Sequence, residues 1–392
     1  MLSTIKNIKI GVFISLVNFL IQGVSFAVQN FIAKNLGITH YGYFGVLQSD
    51  YLIFCALADF GMATLILAFF GKRATEGRLC SRILQLRFLC AFLSMLAYGA
   101  FAFLIRRHHP AFRGELILAG GLIFQHAFFD WFFICGAFWK RLLISKVLHS
   151  ISYAAVMSIA LFYFRVSSIE GIALAMVLAA LPAWSFGVFK ALDRRIFEVT
   201  RRSVRFFKLM FKAAFPYALA SLASFMYLPA GLYAVDRLAE AEYLSAYNFA
   251  HKIVLLASGF MVHFISSNLI VLHREKASQI SLRNHAGFIL FIAFAASPLY
   301  LFPERVLSIL FFAAPWNETL LAESGNVLRW LSFSLIFQAI RLPMIALLLK
   351  EKQVSKFVLF VVLGGSVNVL CCLAGLQFLP VEAVPKLMLS GE

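Results

Sequence analysis

Long apolar stretches alternate with short polar connections along nearly the whole chain, and this pattern predicts transmembrane helices. Crossing the hydrocarbon core of a bilayer takes about 20 apolar residues in a helix, and each stretch is long enough to span with some tilt. A membrane barrel would show alternating segments of about ten residues, which this pattern lacks. The predicted spans are 10–33, 42–70, 84–105, 114–138, 143–164, 168–190, 206–235, 241–272, 285–312, 320–349 and 355–379.

Composition and charge placement support a membrane protein. The chain has 392 residues, of which 62% are hydrophobic and only 14% are charged, whereas charged residues make up about 25% of a typical soluble domain. A net charge of +17 would indicate nucleic acid for a soluble protein. Here the Lys and Arg residues are concentrated in alternate connections, starting with the N-terminal Lys6 and Lys9, as the positive-inside rule requires. We therefore expect a multi-pass protein with a cytoplasmic N-terminus and no nucleic-acid partner.

A basic stretch at 190–212, KALDRRIFEVTRRSVRFFKLMFK, interrupts the apolar pattern near the middle of the chain. We interpret it as a cytoplasmic linker that rests on anionic lipid head groups. It divides the chain into an N-terminal lobe of six helices, 1–200, and a C-terminal lobe of five clear helices, 201–392. The predicted fold is therefore an all-α polytopic membrane protein. The C-terminal tail is too short and polar for another span, so a twelfth helix is expected to be missing.

The two halves carry similar sequences about 200 residues apart. LGITHYGYF at 36–44 resembles LAEAEYLSAY at 238–247, and ADFGM at 58–62 corresponds to ASGFM at 257–261. An even number of spans before the second copy gives both halves the same orientation, as in the parallel repeats of transporters. The alternative is chance similarity between apolar segments.

Acidic residues inside predicted spans indicate a functional or structural role. An ionised carboxylate at the centre of a membrane helix is unfavourable by about 3 kcal/mol or more, so its position has to be compensated. Asp50 and Asp59 lie in the second span, separated by about 900° of helix rotation, so we expect them on different faces. Asp130 lies in the fourth span, with His126 one helical turn earlier on the same face. Each is a candidate for ion or proton coupling. The alternative is a structural partnership, which for Asp59 is favoured: a carboxylate paired with Arg87, Lys252 or a backbone donor.

Basic residues inside spans suggest a site for an anion. Lys252 and Arg341 lie about nine or ten residues inside their spans, which is deep for snorkelling. Arg presents a planar fork of donors and Lys a compact charge, and a diphosphate suits both. We add His251 and Arg87 to this candidate diphosphate set, although Arg87 is close enough to the end of its span to reach the head groups. No metal site or cofactor motif is recognisable, so we expect none.

Several stretches together resemble a known transporter family. They are the KNLG…YGYF turn, ADFGM, YNFAHKI at 247–253, and LFPERVLSILFFAAPWNETLLAESGNVLRWLSFSLIFQAIR at 301–341. These resemble the polysaccharide-exporter branch of the multidrug/oligosaccharidyl-lipid/polysaccharide (MOP) superfamily, and more narrowly a Wzx-type flippase of O-antigen or capsule repeat units. The resemblance covers nearly the whole chain.

The resemblance implies two lobes around a central cavity and alternating access. The implied substrate is an undecaprenyl-diphosphate-linked oligosaccharide, carried across the bacterial inner membrane, with a basic residue at the position of Lys252 helping to hold the diphosphate. Membrane lipids, a polysaccharide polymerase and chain-length machinery are the implied partners. Two alternatives stay open: a cation-coupled drug antiporter of the same fold, and a membrane polymerase. The sequence offers no large outward loop for a polymerase site, so we expect a transporter and not an enzyme.

Overall fold

The computed structural model describes residues 2–69, 74–75, 77–136, 138–192, 204–272, 282–350, 353, 356, 358–367 and 370. Within these residues the regular elements are helical, which confirms the predicted all-α class. The expected missing twelfth helix concerns the tail after residue 379, which lies outside the described residues. The helices are α1 (Leu2–Asp59), α2 (Met62–Phe69), α3 (Gly77–Ile105), α4 (Phe112–Gly121), α5 (Asp130–Cys135), α6 (Trp139–Ser158), α7 (Ile169–Leu192), α8 (Val204–Leu238), α9 (Ala241–Leu272), α10 (Leu282–Leu301), α11 (Pro303–Leu310) and α12 (Glu318–Lys350).

The helices agree with the predicted spans in type and largely in position. Helix α9 has the bounds predicted for the eighth span, and α7 and α12 agree with their spans within two residues. Among the described residues, five helices are long and apolar enough to cross a membrane, or six if the bent pair α10–α11 is one span. The count of eleven spans and the division into six and five stay predictions.

Three predicted spans are interrupted in the structure. The second, 42–70, breaks at Phe60 and Gly61, between α1 and α2. The fourth, 114–138, consists of α4, two short 3-10 turns and α5, with an extended residue at Gln125. Gly120 and Gly121 weaken the helix just before this break. The ninth, 285–312, bends by 91° between α10 and α11. Pro303 explains this bend, because proline lacks an N–H and moves the preceding residue, Phe302, out of helical conformation.

Helix α1 contains the first predicted span and most of the second, and the chain folds back between them at Gly37. This glycine has φ 74° and ψ 173°, a conformation that only glycine adopts readily. The rings of Phe26 and Tyr41 lie 4.7 and 6.4 Å from the ring of Phe311. An unbroken helix would place residues 26 and 41 about 22 Å apart. The predicted turn between the first two spans is therefore confirmed.

The chain forms two compact units, each with its own packing. Unit 1 consists of Met1–Gly45 and Met226–Glu392, and unit 2 of Val46–Phe225. Helix α1 belongs to unit 1 up to Gly45 and to unit 2 from Val46, and α8 belongs to unit 2 up to Phe225 and to unit 1 from Met226. The predicted boundary between lobes near residue 200 stays a prediction.

In unit 1, glycines of α1 pack directly against small polar residues of α9. The Ser245 hydroxyl donates to the carbonyl of Ile38, and the Asn248 amide donates to the carbonyl of Tyr41 at 2.8 Å. A Cβ atom added to Gly45 would lie 2.4 Å from Asn248. Close helix contact through small residues is typical of membrane proteins, where association depends on packing and hydrogen bonds. The two stretches that the sequence matched as a repeat therefore contact each other, offset by 207 residues; the repeat itself stays a prediction.

In unit 2, the second half of α1 runs antiparallel to α3. The Phe54 ring stacks on Tyr98 at 4.4 Å, and the Ser94 hydroxyl donates to the Phe54 carbonyl at 2.7 Å. Toward the end of α1 the contacts shift to Arg87, earlier in α3, which fixes the antiparallel direction. The helix then breaks at Phe60 and Gly61, both with positive φ. This break lies within the ADFGM stretch, 58–62.

Gly61 has both a conformational and a packing reason to be glycine. Its φ is 65°, and an added Cβ atom would lie 2.4 Å from the backbone nitrogen of Ala218 and 2.5 Å from the carbonyl carbon of Tyr217 in α8. Backbone atoms of a helix cannot move aside as a flexible side chain can. This glycine therefore fixes the contact between the end of α1 and α8 in unit 2.

We predict that Gly61→Ala destabilises the protein by about 2 to 4 kcal/mol, because left-handed strain and overpacking each cost about 1 to 3 kcal/mol. Thermal unfolding of the purified protein in detergent measures this. Gly99→Ala is the matched control, since a Cβ atom there meets nothing within 4 Å. Equal midpoints for the two variants would contradict the role given to Gly61.

Candidate functional site

The acidic candidate Asp59 lies in a partly buried ion pair in unit 2, in which the arginine is buried and the Asp59 side chain is 27% exposed. Its Oδ1 is 2.6 Å from Nη1 of Arg87, and its Oδ2 accepts a 3.3 Å hydrogen bond from the backbone N–H of Ala63 in the first turn of α2. A carboxylate at this position both caps the new helix and stabilises its N-terminal dipole. The structural alternative for Asp59, pairing with Arg87, is thus confirmed.

Arg87 does not snorkel, so that interpretation is wrong. Its side chain is buried, and its guanidinium also lies over the rings of Phe128 and Trp131, at 5.3 and 6.0 Å from their centroids. The reason is the partner: a carboxylate within reach stabilises a buried guanidinium more than a distant head group does. Sequence position alone, a few residues into a span, did not reveal this partner.

Asp50 belongs to a three-residue cluster that sequence reasoning missed. Arg106, just after α3, lies 3.4 Å from Asp50 Oδ2 and 3.9 Å from Glu115 Oε1 of α4. Both carboxylates are buried, Asp50 at 2% and Glu115 at 0% exposure. Arg106 lies in the connection between the third and fourth predicted spans, on the side where the sequence has few basic residues. This exception to the positive-inside pattern was the sequence signal that could have revealed the cluster.

Asp50 and Asp59 both have arginine partners on or next to α3. Asp59 pairs with Arg87 in the first half of α3, and Asp50 lies near Arg106, the residue just after this helix. The two ion pairs therefore hold the antiparallel contact of α1 with α3 at two separate levels. The expected placement of the two carboxylates on different faces of their helix stays a prediction.

Asp130 also has a basic partner. Its Oδ2 lies 3.5 Å from Nζ of Lys146 in α6, and both side chains are about one-fifth exposed. The single helix that would place His126 one turn before Asp130 is absent, since His126–Phe129 form a 3-10 turn. The side chain of His126 lies outside the described residues, so its pairing with Asp130 stays a prediction.

The cationic candidates Lys252, His251 and Arg341 lie in unit 1. Lys252 and Arg341 are half-buried, in α9 and α12 respectively. His251 is buried and stacks loosely on Tyr247, with ring centroids 6.1 Å apart. Within the described part of the chain, neither ring nitrogen of His251 has a hydrogen-bond partner. A buried polar group of this kind requires an explanation, such as water or a ligand.

Lys252 occupies a particular face of α9. At 100° per residue it lies within about 40° of Asn248 and Gly259. Asn248 packs on Gly45 and Tyr41 of α1, and an added Cβ on Gly259 would lie 2.4 Å from the amide nitrogen of Gln22. Lys252 is therefore placed on the face of α9 that packs against α1, between two contacts with it. Snorkelling from such a face would require the side chain to run along the helix contact.

Taken together, the residues of the candidate site divide by charge. The three predicted acids are each within ion-pair distance of a basic side chain in unit 2, whereas the cationic candidates other than Arg87 lie in unit 1. An ion-paired carboxylate binds a further metal cation less readily, because the neighbouring positive charge repels it. The arrangement therefore favours an anion site in unit 1 over a cation site at the predicted acids.

A family model described as polysaccharide biosynthesis protein matches residues 8–270 of the chain. Among curated proteins, none matches the chain by sequence. Several solved structures are similar in fold. One is a multidrug resistance MATE family transporter of the MOP superfamily in an inward-facing conformation, with a TM-score of 0.73 and 13% identity, covering 96% of this chain and 95% of that chain.

The lipid II flippase MurJ in an inward closed conformation gives a TM-score of 0.76 at 13% identity, covering 97% of this chain and 85% of that one. A MOP superfamily transporter from Pyrococcus furiosus, described as having a binding pocket of reverse polarity, gives a TM-score of 0.72 at 14% identity. The match covers 98% of this chain and 92% of that one. At these identities the likeness shows a shared fold, that of MATE and MurJ transporters.

We predict that Asp59→Asn destabilises the protein by about 3 kcal/mol, because it leaves the buried Arg87 charge without its partner. Arg87→Met should destabilise it less, because the Asp59 side chain is 27% exposed and water can solvate it. The double variant should recover much of this loss, as thermal unfolding in detergent would measure. If the pair is structural, the double variant also keeps its transport activity. A stable double variant without transport would instead assign Asp59 or Arg87 to the transport cycle.

Proposed function

Because the chain belongs to the polysaccharide biosynthesis protein family, the polysaccharide-exporter branch of the MOP superfamily, we propose that it flips lipid-linked oligosaccharides. In this proposal the cargo is an undecaprenyl-diphosphate-linked repeat unit of O-antigen or capsule, as for Wzx-type flippases. The protein moves it across the bacterial inner membrane by alternating access, without chemical change. The single observation that carries the proposal is the placement of Lys252 inside unit 1, on the face of α9 that packs against α1.

The chemistry of the cargo fits these cations. A diphosphate carries several negative oxygens that must leave water as the head group crosses, and their desolvation has to be compensated. Lys252 and Arg341 would supply charge-assisted hydrogen bonds, and His251 a neutral donor or acceptor. Two guanidinium nitrogens of Arg341, Nε and Nη1, are shielded from solvent, where such a bond is stronger than in water. Arg87 is the weakest member of this set, because Asp59 already engages it.

The alternative of a cation-coupled antiporter needs acids that can bind a cation. Asp50, Asp59 and Asp130 each lie near Arg106, Arg87 and Lys146 respectively, which supports the flippase over the antiporter. Coupling by these acids or by His126 stays a prediction. So do the inner-membrane location, the cytoplasmic N-terminus, and partnership with a polymerase and chain-length machinery.

Deletion of the gene provides the first test. The flippase proposal predicts loss of surface polysaccharide and accumulation of single lipid-linked units on the cytoplasmic side, measured by polysaccharide electrophoresis and by analysis of extracted lipid-linked sugars. Normal surface polysaccharide would contradict the proposal. Export of small cationic drugs by the purified protein in vesicles would support the antiporter instead.

Complementation of that deletion by variants tests the anion site. We predict that Lys252→Ala and Arg341→Ala each lower surface polysaccharide at least tenfold, whereas Lys252→Arg keeps part of the activity because the positive charge remains. Lys140→Ala, which removes an exposed cation, is the matched control and should complement fully. Membrane levels of each variant are measured by immunoblot. Full activity of both alanine variants at normal levels would rule out these residues as the diphosphate site.

A further inference from the structure

The short helix α11 presents large apolar side chains on its outside. Its inner face is buried through Pro303 and Leu307, followed by Phe311. Phe302 before the helix, Ile309 on its outer face and Phe312 just after it are 53%, 70% and 66% exposed. We refer to these three residues and the exposed Arg305 as the outer stripe. Leaving three such side chains in water is unfavourable, because burial of apolar surface is a main source of stability.

The outer stripe continues the exposed apolar surface of α10. Leu290, Phe294 and Leu301 recur at helical spacing on one face of α10 and are all exposed. Together, α10 and α11 are long and apolar enough for a membrane span. An exposed apolar face on a spanning helix is the face that meets lipid. Leu301 and Phe302 are adjacent, so this face runs around the bend and onto α11.

The bend sets the direction of α11. Spanning helices tilt by about 20° on average from the membrane normal, and α11 turns 91° away from α10. Helix α11 therefore lies close to the membrane plane, at the end of a span. This is the level of the head groups, where aromatic rings and amphipathic helices are stable.

Polar contacts hold α11 in this direction. Glu304 lies 3.8 Å from Arg329 of α12, and Arg329 Nε donates to the carbonyl of Tyr300 at 3.3 Å. At the other end, Asn30 donates to the carbonyl of Leu310 at 2.8 Å, and Trp316 donates to the carbonyl of Phe311 at 2.9 Å. Both ends of α11 are therefore tied to the rest of unit 1, and the outer stripe keeps facing outward.

We propose that α11 is an interfacial helix whose outer stripe binds phospholipid of the surrounding bilayer. Phe302, Ile309 and Phe312 enter the boundary between head groups and acyl chains. The Arg305 guanidinium, which lies over the Phe302 ring at 6.0 Å, reaches a lipid phosphate, for which a guanidinium is a suited donor. This proposal concerns the lipid surface and is independent of the cargo. It adds a membrane contact beside α12, the helix that carries Arg341.

Spin-label depth measurements test the proposal on the full-length protein in phospholipid nanodiscs. Ile309 and Phe312 are each replaced by a genetically encoded spin-labelled amino acid, which leaves the native cysteines in place. Phe294 of α10 is the control inside the membrane, and the exposed Glu318 at the start of α12 is the control in water. Accessibility to oxygen, which favours lipid, is compared with accessibility to a water-soluble nickel complex.

We expect the labels at 309 and 312 to lie about 5 to 10 Å below the head groups, between the depths of the labels at 294 and 318. Nickel accessibility at 309 and 312 equal to that at 318 would overturn the proposal. Spectral broadening at 309 that grows with protein density per disc would also overturn it, because a second copy would then cover the stripe. In the variant Arg305→Gln, the label at 309 should move toward the depth of the label at 318. An unchanged depth would show that Arg305 does not contribute to the lipid contact.

Discussion

A charge inside an apolar helix bundle must find an opposite charge, and this constraint organises unit 2. Asp59 and Asp50 carry their charges into the second half of α1, and they are matched by Arg87 in the first half of α3 and by Arg106 just after α3. Between the two pairs, the stacked rings of Phe54 and Tyr98 fill the contact. Removing either partner of a buried pair is much more costly than never having the pair. The antiparallel packing of α1 and α3 is therefore specified by charge as well as by shape.

In unit 1, the contact of α1 with α9 relies on close approach of the two helices. Gly37 reverses the chain, and Gly42 and Gly45 then bring the α1 backbone against Ser245 and Asn248 of α9. Lipid is as apolar as the helix surfaces, so helix association in a membrane gains little from hydrophobicity and depends on tight packing and hydrogen bonds. The same contact places Lys252 on the face of α9 that packs against α1, and so connects the packing of the fold with the proposed anion site.

The ion pairs also separate two roles that intramembrane charges can have. Each carboxylate that suggested coupling lies within ion-pair distance of a basic side chain, and a positive neighbour repels a further cation. Lys252, His251 and Arg341 lie in the other unit, and a diphosphate cargo would need positive groups of this kind. A flippase for an anionic head group agrees with this distribution better than an antiporter for cationic drugs does.

The sequence by itself determined the helical class, the turn at 34–44, the bounds of α9 and the membrane setting, because hydrophobic runs and glycine positions are local properties. It also identified the resemblance to the polysaccharide exporters, which the family match supports. Pro303 is a sequence signal for the bend at Phe302, but it does not decide the bend by itself, because a spanning helix can also accommodate a proline. Only the tertiary structure decided the partners of the buried charges. Arg87, Arg106 and Lys146 are 28, 56 and 16 residues from Asp59, Asp50 and Asp130, and the energy of a charge depends on what folding brings within a few ångströms of it.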